Sequence, residues 1–591
     1  MHRSPGALAT TLALILAASA GCQDAGHVPD VSPAPLFQDV TTQVGLNFIH
    51  DAGPLGDYFM PQIVGSGAAL FDFDNDGRLD LYLVHNAGSS SKSTNRLFHQ
   101  EKDGSFRDVS SGSGLDIAGY GMGVAIGDIN NDSLPDVLVT QYAGSRLFLN
   151  NGNGTFTDIT RSAGLDLVLW GTSASFVDYD RDGWLDFVVV HYLDYGAGRP
   201  CTDMGGRPEY CPPQAFHGTV SKLYRNLGSH STSGTGVSPV GGTGVSPVRF
   251  EDLTLKSGLG KKPGNGLGIV CADFNSDGWP DILIANDRQS NYLWINQRDG
   301  TFREEGLKRG VAYNAEGQAQ GNMGVAIADV DGDLRFDLFI SHLTEETHTL
   351  WRQIAPGRFQ DRTAASGLAA PRWRGTGFGT ALADFDCDGA PDIAVVNGRV
   401  MYGKPPESPI PGASAAVGSF WSHYADRNQL FLNDGKGNFV DVSPANDPFC
   451  GRLSVFRGLA CGDIDNDGAL DLLVTCISGP ARLFKNVAYP RGHWLMVRAI
   501  DPALHRDAYG AEVTVQAGGK RLRSWLNPGY SYLCSNDPRL HFGLGQADHV
   551  ESIEVLWPNG DLEEFREFKA DQAIELRKGS GKPIKRKEQS P

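Results

Sequence analysis

The 591-residue sequence is poor in long apolar runs. After the first 20 residues none approaches the ~18 consecutive apolar positions a spanning helix needs, which excludes a polytopic helical membrane protein. Basic residues are also in deficit: 51 Lys and Arg face 69 Asp and Glu, for a net charge of −18. A surface of that sign repels phosphate backbones, so no nucleic-acid partner is expected. The sequence holds no nucleophile elbow, metal-protease motif or phosphate-binding loop. Cysteine is sparse, at nine residues. What abounds is glycine, 74 residues beside 32 prolines, without the period of collagen, which points to many turns and short strands. An apolar content of 40% is enough to bury a large core, and the length argues for more than one domain.

The N-terminus reads as an export signal, with Arg3 followed by a short apolar stretch from Ala7 to Ala18. It ends in Ser19-Ala20-Gly21-Cys22, which resembles a bacterial lipobox with Ser19 where Leu is usual. Residues 1–22 are therefore expected to be a lipoprotein signal peptide and lipobox, with Cys22 the lipidated residue, and 23–35 a tether. The expected location is the cell envelope, at the outer membrane or cell surface, with contact to the membrane through the lipid alone. Ordinary cleavage and secretion is the alternative. In an oxidising compartment Cys201 and Cys211, in a Pro/Gly-rich excursion, are expected to form a local disulfide. Cys271 and Cys461, each two residues before a repeated Asp, read as small core residues. Cys387, Cys450, Cys476 and Cys534 have no pairing legible in sequence.

A nonapeptide recurs seven times, as DFDNDGRLD from Asp72, DINNDSLPD from Asp128, DYDRDGWLD from Asp178, DFNSDGWPD from Asp273, DVDGDLRFD from Asp329, DFDCDGAPD from Asp384 and DIDNDGALD from Asp463. The spacings are 56, 50, 95, 56, 55 and 79 residues, so the unit is about 50–56 residues with two insertions. One insertion carries the Cys201/Cys211 excursion and a tandem GTGVSPV tract, and the other runs roughly from Met401 to His423. A small-residue stretch precedes each nonapeptide, with Gly at the fifth position before the first Asp in six copies and Ser173 in the other. An apolar run, an R/N-LF-x-N segment, a turn and a short strand such as FTDIT follow. Four short strands per unit cannot bury both faces alone, so neighbours must stack. The predicted fold class is all-β: a seven-bladed β-propeller over residues 36–486, its last blade completed by the N-terminal strand FQDVT, rather than an open linear stack.

Each nonapeptide places oxygen-bearing side chains at positions 1, 3, 5 and 9, a set suited to a hard cation that takes six to eight oxygens. The candidate metal ligands are Asp72, Asp74, Asp76 and Asp80; Asp128, Asn130, Asp132 and Asp136; Asp178, Asp180, Asp182 and Asp186; Asp273, Asn275, Asp277 and Asp281; Asp329, Asp331, Asp333 and Asp337; Asp384, Asp386, Asp388 and Asp392; and Asp463, Asp465, Asp467 and Asp471. Thiolate or imidazole ligands, which would favour zinc or copper, are absent from these positions. An EF-hand is excluded because its loop ends in Glu at position 12 between helices. Up to seven Ca2+ ions are expected, and they would relieve repulsion among loops holding 26 of the 69 acidic residues. Gly at position 6 permits a positive φ; because Ser133 and Leu334 replace it, the second and fifth loops are expected to bind more weakly or differently.

These repeats resemble FG-GAP/VCBS repeats such as those of integrin α-subunits. The C-terminal part, 487–578, resembles an ASPIC/UnbV domain through GHWLMVR, HRDAYGAEVTV, GYSYLCSND, RLHFGLG and VESIEVLWPNG. The combination resembles the cartilage acidic protein family, and SHLTEETHTLWR (Ser341–Arg352) and the Cys201/Cys211 loop look like that family too. The resemblance implies a calcium-binding propeller with a small C-terminal β domain, outside the cell or on its surface. Residues 579–591 read as a basic disordered tail.

No catalytic residue is expected. His85, His191 and His342, equivalent in alternate repeats, read as turn-capping groups rather than a shared metal site. The aromatic insertion with Phe420, Trp421, His423 and Tyr424 either lines a ligand site or covers the array. The expected function is a non-enzymatic adhesion or ligand-binding module for a protein or polysaccharide. A secreted glycan-active hydrolase or lyase on the same scaffold is the alternative, since fold does not dictate function.

Overall fold

The computed structural model describes residues 34–196, 198–228, 248–404, 407 and 418–585. The lipobox Cys22, most of the GTGVSPV tract, part of the second insertion and the end of the basic tail lie outside the described residues. From Ala34 onward the chain forms one compact unit.

Each repeat builds its own antiparallel sheet in chain order. The first strands are Ala68–Phe71, Gly119–Gly127, Gly171–Val177, Gly266–Ala272, Val325–Ala328, Gly377–Ala383 and Phe456–Gly462. They are buried on both faces, apart from a half-buried Tyr120, Ala328 and Ala383, which explains their unbroken small-apolar sequence rather than a period-two alternation. Gly324 shows why side chains are missing there: a Cβ on it would collide with the carbonyl oxygen of Phe378 on the next repeat's first strand.

The seven-bladed propeller expected from the period is corrected by the sheet topology. The repeats form separate open sheets of four or five strands, and no sheet is closed into a barrel or propeller or strongly curled. Phe37–Asp39 does pair with Arg482–Asn486, Phe37 opposite Asn486, but this completes one four-stranded sheet and closes none. One short strand of the first repeat, Asn86–Gly88, pairs with Gly119–Gly127 of the second, and neighbouring repeats are otherwise joined by isolated bridges, by packing and by buried amides. Asn150, Asn226, Asn296, Asn433 and Asn486 each donate Nδ2–H to a loop carbonyl of the preceding repeat, at 2.8–2.9 Å. Gln100 of the first repeat donates likewise to Ile464 of the seventh, at 2.9 Å.

The C-terminal region does not stand apart either. Its two sheets centre on His493–Asp501 and His549–Leu556. Val513, Val515, Val550, Ile553 and Trp557 pack in one buried cluster with Phe176, Phe187 and Leu138 of the repeats. Between those sheets, the segment around GYSYLCSND runs across the first strands. Ser535 N–H donates to Ala68 O and Leu533 O accepts from Val124 N–H. Asn527 Nδ2 donates to Phe176 O, Trp525 Nε1 to Cys271 O, and Ser531 N–H to Val325 O. Ser531 Oγ accepts from Thr380 N–H, and Asn536 Oδ1 from Cys461 N–H. All seven first strands therefore hydrogen-bond to this one region. Buried backbone groups must be paired, and here a distant segment supplies the partners.

Candidate metal centre

Each nonapeptide links a first strand to its second strand. The hairpin register is the same in all seven: the residue before position 1 stands opposite position 9, as in Phe71↔Asp80, Gly127↔Asp136 and Gly462↔Asp471. Turn chemistry sets the loop. The carboxylate at position 1 accepts from the N–H of positions 5 and 6, at 3.0 and 2.8 Å for Asp72, and the pattern recurs in later loops. The carboxylate at position 9 accepts from the third strand, where Gln100 N–H reaches Asp80 Oδ1 at 2.8 Å and Asn296 N–H reaches Asp281 Oδ1 at 2.8 Å.

Two left-handed residues bend every loop. Position 6 has φ between 66° and 90°, and Ser133 (74°) and Leu334 (66°) adopt it without being glycine. Position 4 is left-handed as well, from Asn131 at 57° to Gly332 at 74°. Absence of Gly at position 6 thus does not change the backbone of the second and fifth loops; it leaves strain of about 1 kcal/mol on an L-residue. The left-handed fourth position escaped sequence reasoning because Asn, Arg, Ser, Gly and Cys all occupy it.

Carboxylates converge within these loops. Ligand oxygens of Asp72, Asp74 and Asp80 lie within 4.8 Å of one another, as do those of Asp178, Asp180 and Asp186, of Asp329, Asp331 and Asp333, and of Asp384, Asp386 and Asp392. Burial makes the arrangement costly without a counter-charge. Burial pushes Asp80 and Asp337 up to about 8, Asp128, Asp273 and Asp463 to about 7, and Asp178 and Asp329 to about 6, with neighbouring carboxylates adding to the rise. Asp136, Asp186, Asp281, Asp384, Asp392 and Asp471 are raised well above the carboxylate range for the same first reason. Several oxygens have no hydrogen-bond partner though buried: Oδ1 of Asn130, Asp178, Asp180, Asp331 and Asp386, and Oδ2 of Asp281. Hard oxygen donors with unused lone pairs, clustered and desolvated, fit a Ca2+-sized cation.

Cys201 and Cys211 are joined by a disulfide. The other described cysteines, Cys271, Cys387, Cys450, Cys461, Cys476 and Cys534, are free and buried. His85, His191 and His342 are buried, and burial lowers the first two to about 4 and about 3, so they are neutral. Trp421 and Tyr424 are buried against the other insertion: Tyr424 OH donates to Glu209 Oε1 at 2.8 Å, and Tyr402 N–H donates to Glu209 Oε2 at 2.6 Å. The two insertions therefore pack on each other, and these aromatic side chains are used in that contact.

Comparison with known proteins agrees with this anatomy. A model of the FG-GAP-like repeat matches residues 72–139, 128–189, 273–340 and 418–474, and one described as ASPIC and UnbV matches 501–583. Cartilage acidic protein 1 of Xenopus tropicalis is 29% identical over 325 residues, and that of Homo sapiens 25% over 331. The chain is homologous to the cartilage acidic protein 1 family. It carries FG-GAP/VCBS-type repeats followed by a C-terminal ASPIC/UnbV domain. The alignments take in 53% of this chain and 45% and 44% of those two relatives, so less than half of the relatives' length is matched. Among solved structures, an Agrocybe aegerita lectin specific for non-reducing terminal N-acetylglucosamine is 15% identical, covering 65% of this chain and 84% of its own at a TM-score of 0.34. The N-terminal part of BBS1, in complex with ARL6, is 9% identical, covering 78% and 99% at a TM-score of 0.37. Likenesses this distant carry no functional argument.

Among the described residues no helix is long and apolar enough to cross a membrane.

Proposed function

We propose that this chain is an exported, calcium-stabilised binding module that holds a protein or polysaccharide ligand and catalyses no reaction. The observation that carries the reading is the backbone shared by all seven loops, with carboxylates that converge in repeats one, three, five and six and buried oxygens without partners in repeats two to six. Residues at positions 1, 3, 5 and 9 of each loop would hold the ions, up to seven in all. Bound calcium would supply positive charge that cancels the repulsion between buried carboxylates and stiffens the hairpins. The carboxylates of the seven loops, 26 of the 69 acidic residues, would then serve ion binding rather than acid/base catalysis. Export is supported by the Cys201–Cys211 disulfide, a bond of oxidising compartments, and by the lipobox-like Ser19–Cys22.

A ligand surface is offered by an open cleft of about 750 Å3 lined by Tyr120, Gln141, Tyr142, Arg146 and Asp158. Gln141 is buried and leaves Nε2 unpaired there, and half-buried tyrosines beside amide and charged groups suit a saccharide or a peptide. The test is a glycan and peptide array probed with and without calcium, followed by product analysis. Calcium-dependent retention without product is expected. Release of shortened glycan refutes the non-enzymatic reading, and binding indifferent to strong chelation refutes the role of the ion.

A further inference from the structure

The seven loops share a backbone but not the side chain that lies over them. That side chain is the fourth residue of each third strand: His99, Leu149, Arg225, Ile295, Arg352, Leu432 and Lys485 in chain order. Odd repeats carry a cation or an imidazole, and even repeats carry an aliphatic group. The polar ones reach the acidic loop of their own repeat. Arg225 lies 2.6 Å from Asp180 Oδ2 and 2.9 Å from Asp182 Oδ2. Arg352 pairs with Asp331 and stands 3.2 Å from Asp337 Oδ2. Lys485 pairs with Asp465 and lies 3.1 Å from Asp467 Oδ2. His99 Nε2 is 3.2 and 3.3 Å from Asp74 and Asp76.

We propose that Arg225, Arg352 and Lys485 are tethered cations that stand in for calcium in repeats three, five and seven, and that repeats two, four and six are the calcium-dependent loops. The inference rests on the calcium reading above and deepens it. A divalent ion entering the loop of repeat three, five or seven must first displace an ammonium or guanidinium held by two carboxylates, and then suffers its repulsion at close range. The loops of repeats two and six meet no such competitor. Among the described residues no ion pair reaches the carboxylates of repeats two and six. In repeat four, Asp277 meets only Arg298, which comes from the following turn and is half exposed. Each even loop also leaves one buried oxygen unpaired: Asn130 Oδ1, Asp281 Oδ2 and Asp386 Oδ1. In repeats three and five the unpaired Oδ1 atoms of Asp180 and Asp331 belong to carboxylates whose Oδ2 an arginine already holds, and the unpaired Oδ1 of Asp178 belongs to a carboxylate whose Oδ2 lies 4.0 Å from Arg506.

The test is calcium titration of the chelator-stripped full chain by calorimetry, with circular dichroism in saturating calcium to verify folding. The wild type is expected to show a tight class of about three ions. Arg225→Leu/Arg352→Leu/Lys485→Leu is expected to raise that class towards six, and Leu432→Lys to lower it by one. An unchanged tight class in the triple variant, or seven equivalent ions in the wild type, overturns the inference while leaving calcium binding intact. If the triple variant does not fold, Leu432→Lys decides alone: loss of one tight ion supports the inference, and an unchanged count overturns it. A wild type that binds no calcium refutes the calcium reading itself, and the inference with it.

Discussion

Tyr532 tests whether the C-terminal region and the repeats fold as one body. The side chain is fully buried, 0% exposed, although the residue is 468 positions from the carbonyl it binds. Its OH donates to Val64 O at 3.0 Å, and its ring meets Phe378 edge-on at 4.9 Å between centroids. Truncating a buried aromatic of this size costs about 3–5 kcal/mol, from lost burial and the cavity left behind. Removing only the hydroxyl leaves Val64 O unpaired and costs about 1–3 kcal/mol. Tyr532→Phe should therefore lower the midpoint of guanidinium unfolding modestly and Tyr532→Ala strongly, read by tryptophan fluorescence. Tyr489→Ala, at a residue 91% exposed, is the control and should change stability by less than about 0.5 kcal/mol. Because the segment bonds to all seven first strands, the repeats and the C-terminal region should lose structure together. A Tyr532→Ala protein within about 1 kcal/mol of wild type, or a separate early transition that leaves the repeats folded, refutes the shared-core argument.

Other expectations follow from the loops and the joints between repeats. In chelator, stability should fall as pH rises from about 4 to 8: Asp80, raised to about 8 by burial, keeps a proton in the folded chain that the unfolded chain gives up. The loss is up to about 1.4 kcal/mol per pH unit per group; a melting temperature that climbs with pH in chelator contradicts it, whereas the calcium-loaded protein should be destabilised by acid. Asn296→Ala should cost about 1–3 kcal/mol, since Nδ2 bonds Tyr179 O at 2.9 Å and Pro280 O at 3.1 Å; unchanged denaturant unfolding would show that these amides do not join the repeats. Leu334→Gly should be neutral or stabilising by up to about 1 kcal/mol, as it relieves a φ of 66°, and a clear loss in melting temperature would count against strain there. Reducing Cys201–Cys211 should speed proteolysis within that excursion and leave the main unfolding transition in place, because its sequence separation is only 10 and Cys201 is half-buried at the surface.

Local structure follows from residues close together in the chain. Position-specific Asp, Asn and Gly residues specify a hairpin loop within nine residues, and small-apolar runs specify strands buried on both faces, so the repeat, its strands and the candidate ligands were legible from spacing alone. How the sheets meet depends on contacts between residues far apart in the chain. A propeller inferred from period and strand count gave way to separate open sheets, because periodicity reports that neighbours stack and says nothing about sheet closure. Nor could spacing reveal that Ser531, Leu533 and Ser535 complete the backbone pairing of strands 200 to 470 residues away. The same holds for Arg225, Arg352 and Lys485. In sequence they occupy a variable position between two conserved-looking patterns of the repeat, and only the pairing of second and third strands sets them over the acidic loops. Hydrogen bonds and Coulomb forces act through space, and the distances that govern them exist only once the chain has folded.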